Sequence, residues 1–330
     1  MLATFLIAGL LLSSCGGGQN FQKTGFYLSN IFDVTIYSGK DLSNSNSERI
    51  LTQSLESLRE LDNRINPLNP IGDINALNDN SSKHPVKISP VVFSLVEKAM
   101  KGAELTDGTY DPTNASLLQL FQNDQQGSAA QIKNALSKID YQRVLLDSTY
   151  QTVRFAEPSV ELTFDGLKKG YAIDLIAENL VNSNISSALI RSNNTLFVLG
   201  KKKAYQVTVP HPDDPDKKAA KFSIKNKGYA QVGGQDENFY KNAESWLPAY
   251  RQKLEIDDKS FPLYVGVVAP NAVTAEVLAH ALFIMGPAKG VALIQKLKYD
   301  VIYLTRDENG NLHAYATNGL KSKIKGIALN

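Results

Sequence analysis

The chain contains a single cysteine, Cys15. One thiol can neither close an intramolecular disulfide nor build a thiolate zinc centre, so whatever this chain folds into must be held by an apolar core. With 330 residues, 43% of them hydrophobic, there is enough apolar mass for one large domain or two interlocked ones. The four histidines, His84, His211, His280 and His313, lie far apart and form no HExxH pair. There is no GxSxG elbow and no GxxxxGK[ST] phosphate loop, which removes most hydrolase and nucleotide-kinase readings. A formal net charge of +2 offers no electrostatic case for a nucleic-acid partner.

Cys15 ends an apolar run over residues 2–12. That run is shorter than the roughly 20 residues a permanent membrane helix needs, and it suits the central region of a secretory signal. Leu12-Ser13-Ser14-Cys15 resembles the lipobox of bacterial lipoproteins, in which the cysteine is lipidated and becomes the new N-terminus. The expected organisation is a signal peptide over 1–15, a flexible Gly-rich tether over 16–24 and a folded domain over 25–330. The protein is then expected in the bacterial cell envelope, joined to the membrane by a lipid on Cys15. Gly16 follows the cysteine where aspartate would retain a lipoprotein at the inner membrane, so the resemblance implies the periplasmic face of the outer membrane.

Along the body, apolar periodicity predicts helices over 47–61, 91–106, 129–137, 167–180 and 272–285, and a short one before residue 121. Strands are predicted over 32–37, 143–146, 152–155, 160–164, 188–190, 196–199, 205–209, 221–224 and 264–268, and over 300–305 and 312–317 as a hairpin. Residues 66–72 read as a loop, and 233–261 carry no clear pattern. Helices and strands mix without strict βαβ alternation, so the fold class is α+β.

Three segments could carry chemistry. Thr106-Asp107-Gly108-Thr109-Tyr110-Asp111-Pro112-Thr113 places a carboxylate and hydroxyls on a punctuated loop. Such a loop can face a ligand, or Asp111 can simply bond its own local backbone. Thr163-Phe164-Asp165-Gly166-Leu167-Lys168-Lys169-Gly170 leads into a helix whose N-terminal N–H groups, with Lys169, could meet an anion; a solvated lysine pair and a packing glycine explain it equally. Glu276 and His280 stand four apart on one helix, a spacing that fits a metal pair, a proton-exchanging pair or an ordinary polar rim on an apolar helix.

Taken in order, these segments resemble the ApbE family, the FAD:protein FMN transferases, from about residue 26 to about residue 304. Gly108-Thr109-Tyr110-Asp111-Pro112-Thr113 is similar to the family phrase GxFDPT, and residues 162–174 to LDLGGIAKGYAVD. Residues 275–290 are similar to ADALATALFVLGPEKG, and residues 69–78 to PxSEIxRLN. The resemblance implies an α+β architecture of largely antiparallel sheets related to the T-fold. It implies transfer of FMN from FAD, the substrate, to a threonine or serine hydroxyl of an exported flavin-acceptor protein, with Mg²⁺ as cofactor and AMP leaving. It implies that Leu68, Thr109, Tyr110, Asp111, Thr163 and Lys169 face the flavin nucleotide. Gly166 and Ala279 through their backbone, with Glu276 and His280, take the metal positions, and Glu276, His280 and Lys169 the catalytic ones.

The chain departs from the family where the chemistry sits. Glu276 and His280 replace an aspartate and a threonine, and imidazole suits zinc, copper or nickel better than magnesium. Thr163 replaces an aspartate, Leu28-Ser29-Asn30 an MGT phrase, Asn193-Asn194 a glycine pair and Gln231-Val232-Gly233 a TSG phrase. The family phrase HIIDPxTG has no counterpart between residues 245 and 263. These departures leave a second expectation open, a flavin-binding or scaffold lipoprotein of the same fold without transferase activity.

Overall fold

The computed structural model describes residues 20–37, 42–121, 127–200, 203–233, 240, 242–325 and 328–329. Cys15 and the signal lie outside the described residues. In chain order the strands are β1 (Asn20–Tyr27), β2 (Asn30–Tyr37), β3 (Val86–Lys87), β4 (Val144–Asp147), β5 (Thr152–Phe155), β6 (Ala188–Ser192) and β7 (Thr195–Leu199). They continue with β8 (Tyr205–His211), β9 (Asp214–Ile224), β10 (Lys227–Gly233), β11 (Phe261–Ala269), β12 (Asp300–Arg306), β13 (Leu312–Ala316) and β14 (Ala328–Leu329). Nine of them form one sheet in the order β1-β2-β6-β7-β10-β11-β12-β13-β14, antiparallel except for the last pair. β3-β5-β4 and β8-β9 form two small antiparallel sheets. The α+β class read from the sequence is the one the chain adopts.

The central strands are buried on both faces, and their side chains alternate between two cores. In β12, Val301 and Tyr303 join the cluster that contains Trp246 and Phe283, while Ile302 and Leu304 join the cluster under β8 and β9. This is the period of two expected of a pleated strand.

The helix Ala272–Met285 lies across one face of the sheet, against β10, β11 and the helix Lys168–Asn182. Val273, Val277 and Ala281 enter one core cluster, and Ala275, Leu278, Leu282 and Phe283 enter another. Every residue of this helix except Thr274 is buried. A helix clasped between two cores must be apolar all round, which is why its sequence shows no polar stripe. Its start is fixed twice: Asn271 Oδ1 accepts from Thr274 N at 2.9 Å, and the Asp174 carboxylate accepts from Ala272 N (2.9 Å) and Val273 N (3.0 Å).

Several expectations change. The helix read over 47–61 is two helices, Asn44–Glu56 and Leu58–Ile65. They part at Ser57, whose hydroxyl donates back to Ser54 O at 2.7 Å, a competing bond that bends helices. Residues 160–164 form no strand. Their backbone groups are taken by Asn78, whose side chain bonds Leu162 N and O (2.8 and 3.1 Å), and by Pro112 O, which accepts from Thr163 N at 2.8 Å. β1 begins at Asn20, inside the segment read as tether, and pairs along its length with β2. β10 went unread, and the patternless stretch 233–261 contains the helix Ala243–Lys253 with Pro248 inside it.

Candidate functional site

The helix Pro90–Leu105 ends with Gly108 N donating to Ala103 O at 2.8 Å, in a turn where Asp107 and Gly108 take positive φ. Thr106 Oγ1 then accepts from Tyr110 N at 3.0 Å and sets the direction of the following residues. Both Asp111 oxygens have backbone partners, one within the loop and one outside it. Oδ1 accepts from Thr113 N (2.9 Å) and Thr113 Oγ1 (2.6 Å), and Oδ2 from Tyr141 N (2.8 Å). Burial raises this carboxyl, and the Thr113 and Tyr141 donors oppose it. Asp111 thus holds its own loop through Thr113, ties it to Tyr141, and also lines the cleft described below.

Gly166 sits between two aromatic walls. A side-chain carbon added there would lie 3.2 Å from the Tyr110 ring and 3.3 Å from the His280 ring, and φ is +87°. Only glycine suits both the space and the backbone. Three segments far apart in sequence thus meet at one point, and a small cleft, partly open to solvent, opens there. It is lined by Thr109, Tyr110 and Asp111, by Asn114 and Leu118, by Asp165 and Gly166, and by Tyr240, His280 and Ile284.

Behind the cavity wall, Glu276 is 1% exposed and Lys169 is 7% exposed. Glu276 Oε2 accepts from Gly170 N at 2.5 Å, and Oε1 lies 3.7 Å from Lys169 Nζ. The anion at the N-terminus of the helix Lys168–Asn182 is therefore the protein's own carboxylate. Gly170 allows this crossing: a side-chain carbon there would stand 2.6 Å from Ala272 O and Val273 Cα.

The imidazole of His280 is bonded at Nδ1 to the Tyr240 hydroxyl, with ring centroids 5.4 Å apart. Tyr240 in turn packs edge-on against Phe283 at 4.8 Å. Tyr110 is 4% exposed, and its hydroxyl has no hydrogen-bond partner among the described residues. Burial, then the negative charges of Glu276, Asp111 and Asp165, push this phenol well above its ordinary range, so it stays protonated. Asp165 is half exposed at the cavity edge, 2.5 Å from Lys168 Nζ. Desolvation raises its carboxyl, and the charges of Lys168, Lys169 and His280 together outweigh that and hold it below the usual carboxylate value.

Of the residues singled out in the sequence, Thr109, Tyr110, Asp111, Gly166 and His280 line the cavity. Lys169, Glu276 and Ala279 stand behind it, buried. Thr163 is half-buried beside it, accepting from Asp165 N at 3.2 Å. Leu68 is 90% exposed on the 66–72 loop and does not line the cavity. Sequence reasoning missed Asn114, Leu118, Tyr240 and Ile284. Tyr240 lies in the patternless stretch, and no local signal points to it. Three of the segments that depart from the family phrases also meet: Asn193 Nδ2 donates to Asn30 Oδ1 (2.9 Å), and Asn194 Nδ2 to Gln231 O (2.5 Å).

The architecture is that of the flavin transferases. The crystal structure of the flavin transferase ApbE from Vibrio cholerae superposes with a TM-score of 0.76 at 16% identity, covering 93% of this chain and all of that one. The apo flavinyl transferase ApbE of Pseudomonas stutzeri gives 0.76 at 18% identity, covering 95% and 99%. In sequence, the FAD:protein FMN transferase of Haemophilus influenzae is 22% identical over 273 residues, 77% of each chain. The Treponema pallidum protein of the same name is 20% identical over 328 residues, 90% of this chain and 88% of its own. The ApbE family profile matches residues 29–304, and the chain belongs to the ApbE family.

Proposed function

We propose that this protein is an FAD:protein FMN transferase of the bacterial envelope, exported by residues 1–15 and held at the membrane by a lipid on Cys15. Its acceptor is then an exported protein that presents a threonine or serine hydroxyl within reach of the tether. The observation that carries this reading is the convergence of Thr109, Tyr110, Asp111, Gly166 and His280 on one cavity. They come from the three phrases that resemble the family's nucleotide and metal segments.

In the reaction, the acceptor oxygen forms a bond to the FMN-side phosphorus, the P–O bond to AMP breaks, and the hydroxyl proton is released. Such chemistry needs positive charge at the phosphates and a fixed line of attack more than it needs a protein nucleophile. The Tyr110 hydroxyl supplies a donor inside the cavity, and the loop held by Asp111 and Thr113 fixes its wall. His280 is held in one orientation by Tyr240.

The family resemblance also brings Mg²⁺ to Gly166, Glu276, Ala279 and His280, and the residues present do not fit it. Mg²⁺ wants octahedral oxygen at about 2.0–2.1 Å and usually keeps several waters. Glu276 is 1% exposed, already bonded to Gly170 N and faced by the Lys169 ammonium, and His280 offers nitrogen. Among the described residues, no three His, Cys, Asp or Glu side chains gather as a metal cluster.

The test is direct. The mature chain is mixed with FAD, Mg²⁺ and a threonine-bearing acceptor, and AMP and acceptor-bound flavin are measured. Both are expected; if neither forms, the transferase reading fails. Tight FAD binding without turnover identifies the second reading, a flavin-binding scaffold, which the internally paired Glu276 favours. FMN and AMP released without acceptor identify hydrolysis instead. None of the described helices is long and apolar enough to cross a membrane; in this reading attachment rests on the lipid at Cys15. A Cys15→Ala chain is expected in the soluble fraction, and wild-type behaviour by that variant would overturn the anchor.

A further inference from the structure

We infer that this chain binds the pyrophosphate of its flavin dinucleotide without a divalent cation, using the Tyr110 hydroxyl in place of the metal. This deepens the flavin-nucleotide reading of the cavity and rests on it, while its metal arm can be tested alone.

Three independent features support it. First, the carboxylate that would anchor a metal is already neutralised. Glu276 has a backbone N–H at 2.5 Å and an ammonium at 3.7 Å, and it is sealed from water at 1% exposure. A divalent ion there would meet the Lys169 charge at close range and would have to shed nearly all of its waters. Second, the next candidate donor is an imidazole whose Nδ1 is held by Tyr240, a borderline nitrogen donor where a hard cation favours oxygen. Third, the cavity contains a donor with nothing to donate to inside the protein. The Tyr110 hydroxyl is buried and has no hydrogen-bond partner among the described residues. Beside it, Asn114 and Gly166 complete a wall that can approach a ligand closely. A buried donor left unmatched costs stability, and an anionic oxygen is the partner that recovers most.

The charge balance is consistent with this. Lys169 and Glu276 cancel as a pair, so the wall behind the cavity presents no uncompensated carboxylate for an ion to neutralise. Lys168 and Asp165 cancel in the same way at the cavity edge. A phosphate ligand therefore meets no surplus carboxylate charge from these two pairs.

The experiment has two arms on the mature chain. In the first, FAD is titrated by flavin fluorescence in excess EDTA and again in saturating Mg²⁺. The affinities are expected to agree within about twofold, and Tyr110→Phe is expected to weaken binding by about tenfold in both. Tightening by Mg²⁺ of about tenfold or more, or an unchanged Tyr110→Phe variant, would overturn the inference. In the second arm, Mn²⁺ alone is titrated by electron paramagnetic resonance, in the absence of any flavin. No saturable site is expected, and a site lost on Glu276→Gln but present in the wild type overturns the inference. If FAD fails to bind under either condition, the flavin reading of the cavity fails and the inference fails with it. If FAD binds and only the metal dependence appears, the inference fails while the flavin reading stands.

Discussion

Replacing Lys169 by methionine removes the ammonium that faces Glu276 and keeps most of the side-chain volume. At 3.7 Å, and with an effective dielectric constant of about 20, the lost attraction is about 4.5 kcal/mol. Both side chains are almost wholly buried, 8% and 1% exposed, so solvent cannot step in to screen the orphaned carboxylate. Breaking a buried pair from one side costs about 3–5 kcal/mol, and the loss is expected within that range. The double variant Lys169→Met/Glu276→Gln is the control. Glutamine keeps an oxygen for Gly170 N at Glu276's position and removes the charge, so the double variant is expected to recover most of the loss. Urea unfolding followed by circular dichroism gives the three free energies, and their difference from additivity is the coupling of the pair. A loss under about 1 kcal/mol for the single variant, or strict additivity in the double, would refute the view of Glu276 as an internally neutralised carboxylate.

Two further perturbations test other links of the structure. Gly170→Ala drives a methyl to 2.6 Å from Ala272 O and Val273 Cα, backbone atoms that cannot turn aside. It is expected to cost about 1–3 kcal/mol or more in urea unfolding, and a neutral result would mean that the helices Lys168–Asn182 and Ala272–Met285 do not cross as described. Asp174 caps the second of these helices, and burial lifts its carboxyl from 3.8 to about 6 against the Val273 and Ala272 donors and Lys98. The folded state therefore keeps a proton that the unfolded chain releases between those values. The contribution of this group is greatest below the unfolded value, falls as pH rises through the window by up to about 3 kcal/mol, and is level above it. Asp174→Asn is expected to lack that slope between about pH 4 and 7; a wild-type-minus-variant difference that does not change with pH would contradict it.

Much of the fold could be read along the chain because its signals are local. Pro90 at the first turn of its helix and Gly286-Pro287 as a stop act within a few residues, and the observed helices begin and end where those residues stand. The breaks in this legibility have non-local causes. Residues 160–164 have the apolar alternation of a strand, but Asn78 and Pro112, distant in sequence, occupy their backbone groups. Ser57 ends a helix that periodicity alone would continue. Asp111 and His280 are visible as chemistry-bearing residues, while the atoms that occupy them, Tyr141 N and the Tyr240 hydroxyl, come from segments with no pattern that predicts the meeting.

By itself, the sequence determined that Cys15 can only be a single thiol, that the body mixes helices and antiparallel strands, and that residues 272–285 form a helix with Glu276 and His280 one turn apart. It left open whether that pair holds a metal, exchanges a proton or forms the polar rim of an apolar helix. Only the tertiary structure decided what the two polar residues do there. Glu276 is carried onto Gly170 N and Lys169, His280 onto Tyr240 and the cavity beside Gly166. The physical reason is that spacing is a property of one helix and its pattern, whereas the charge state and partners of a buried group depend on which distant backbone and side chains are packed against it.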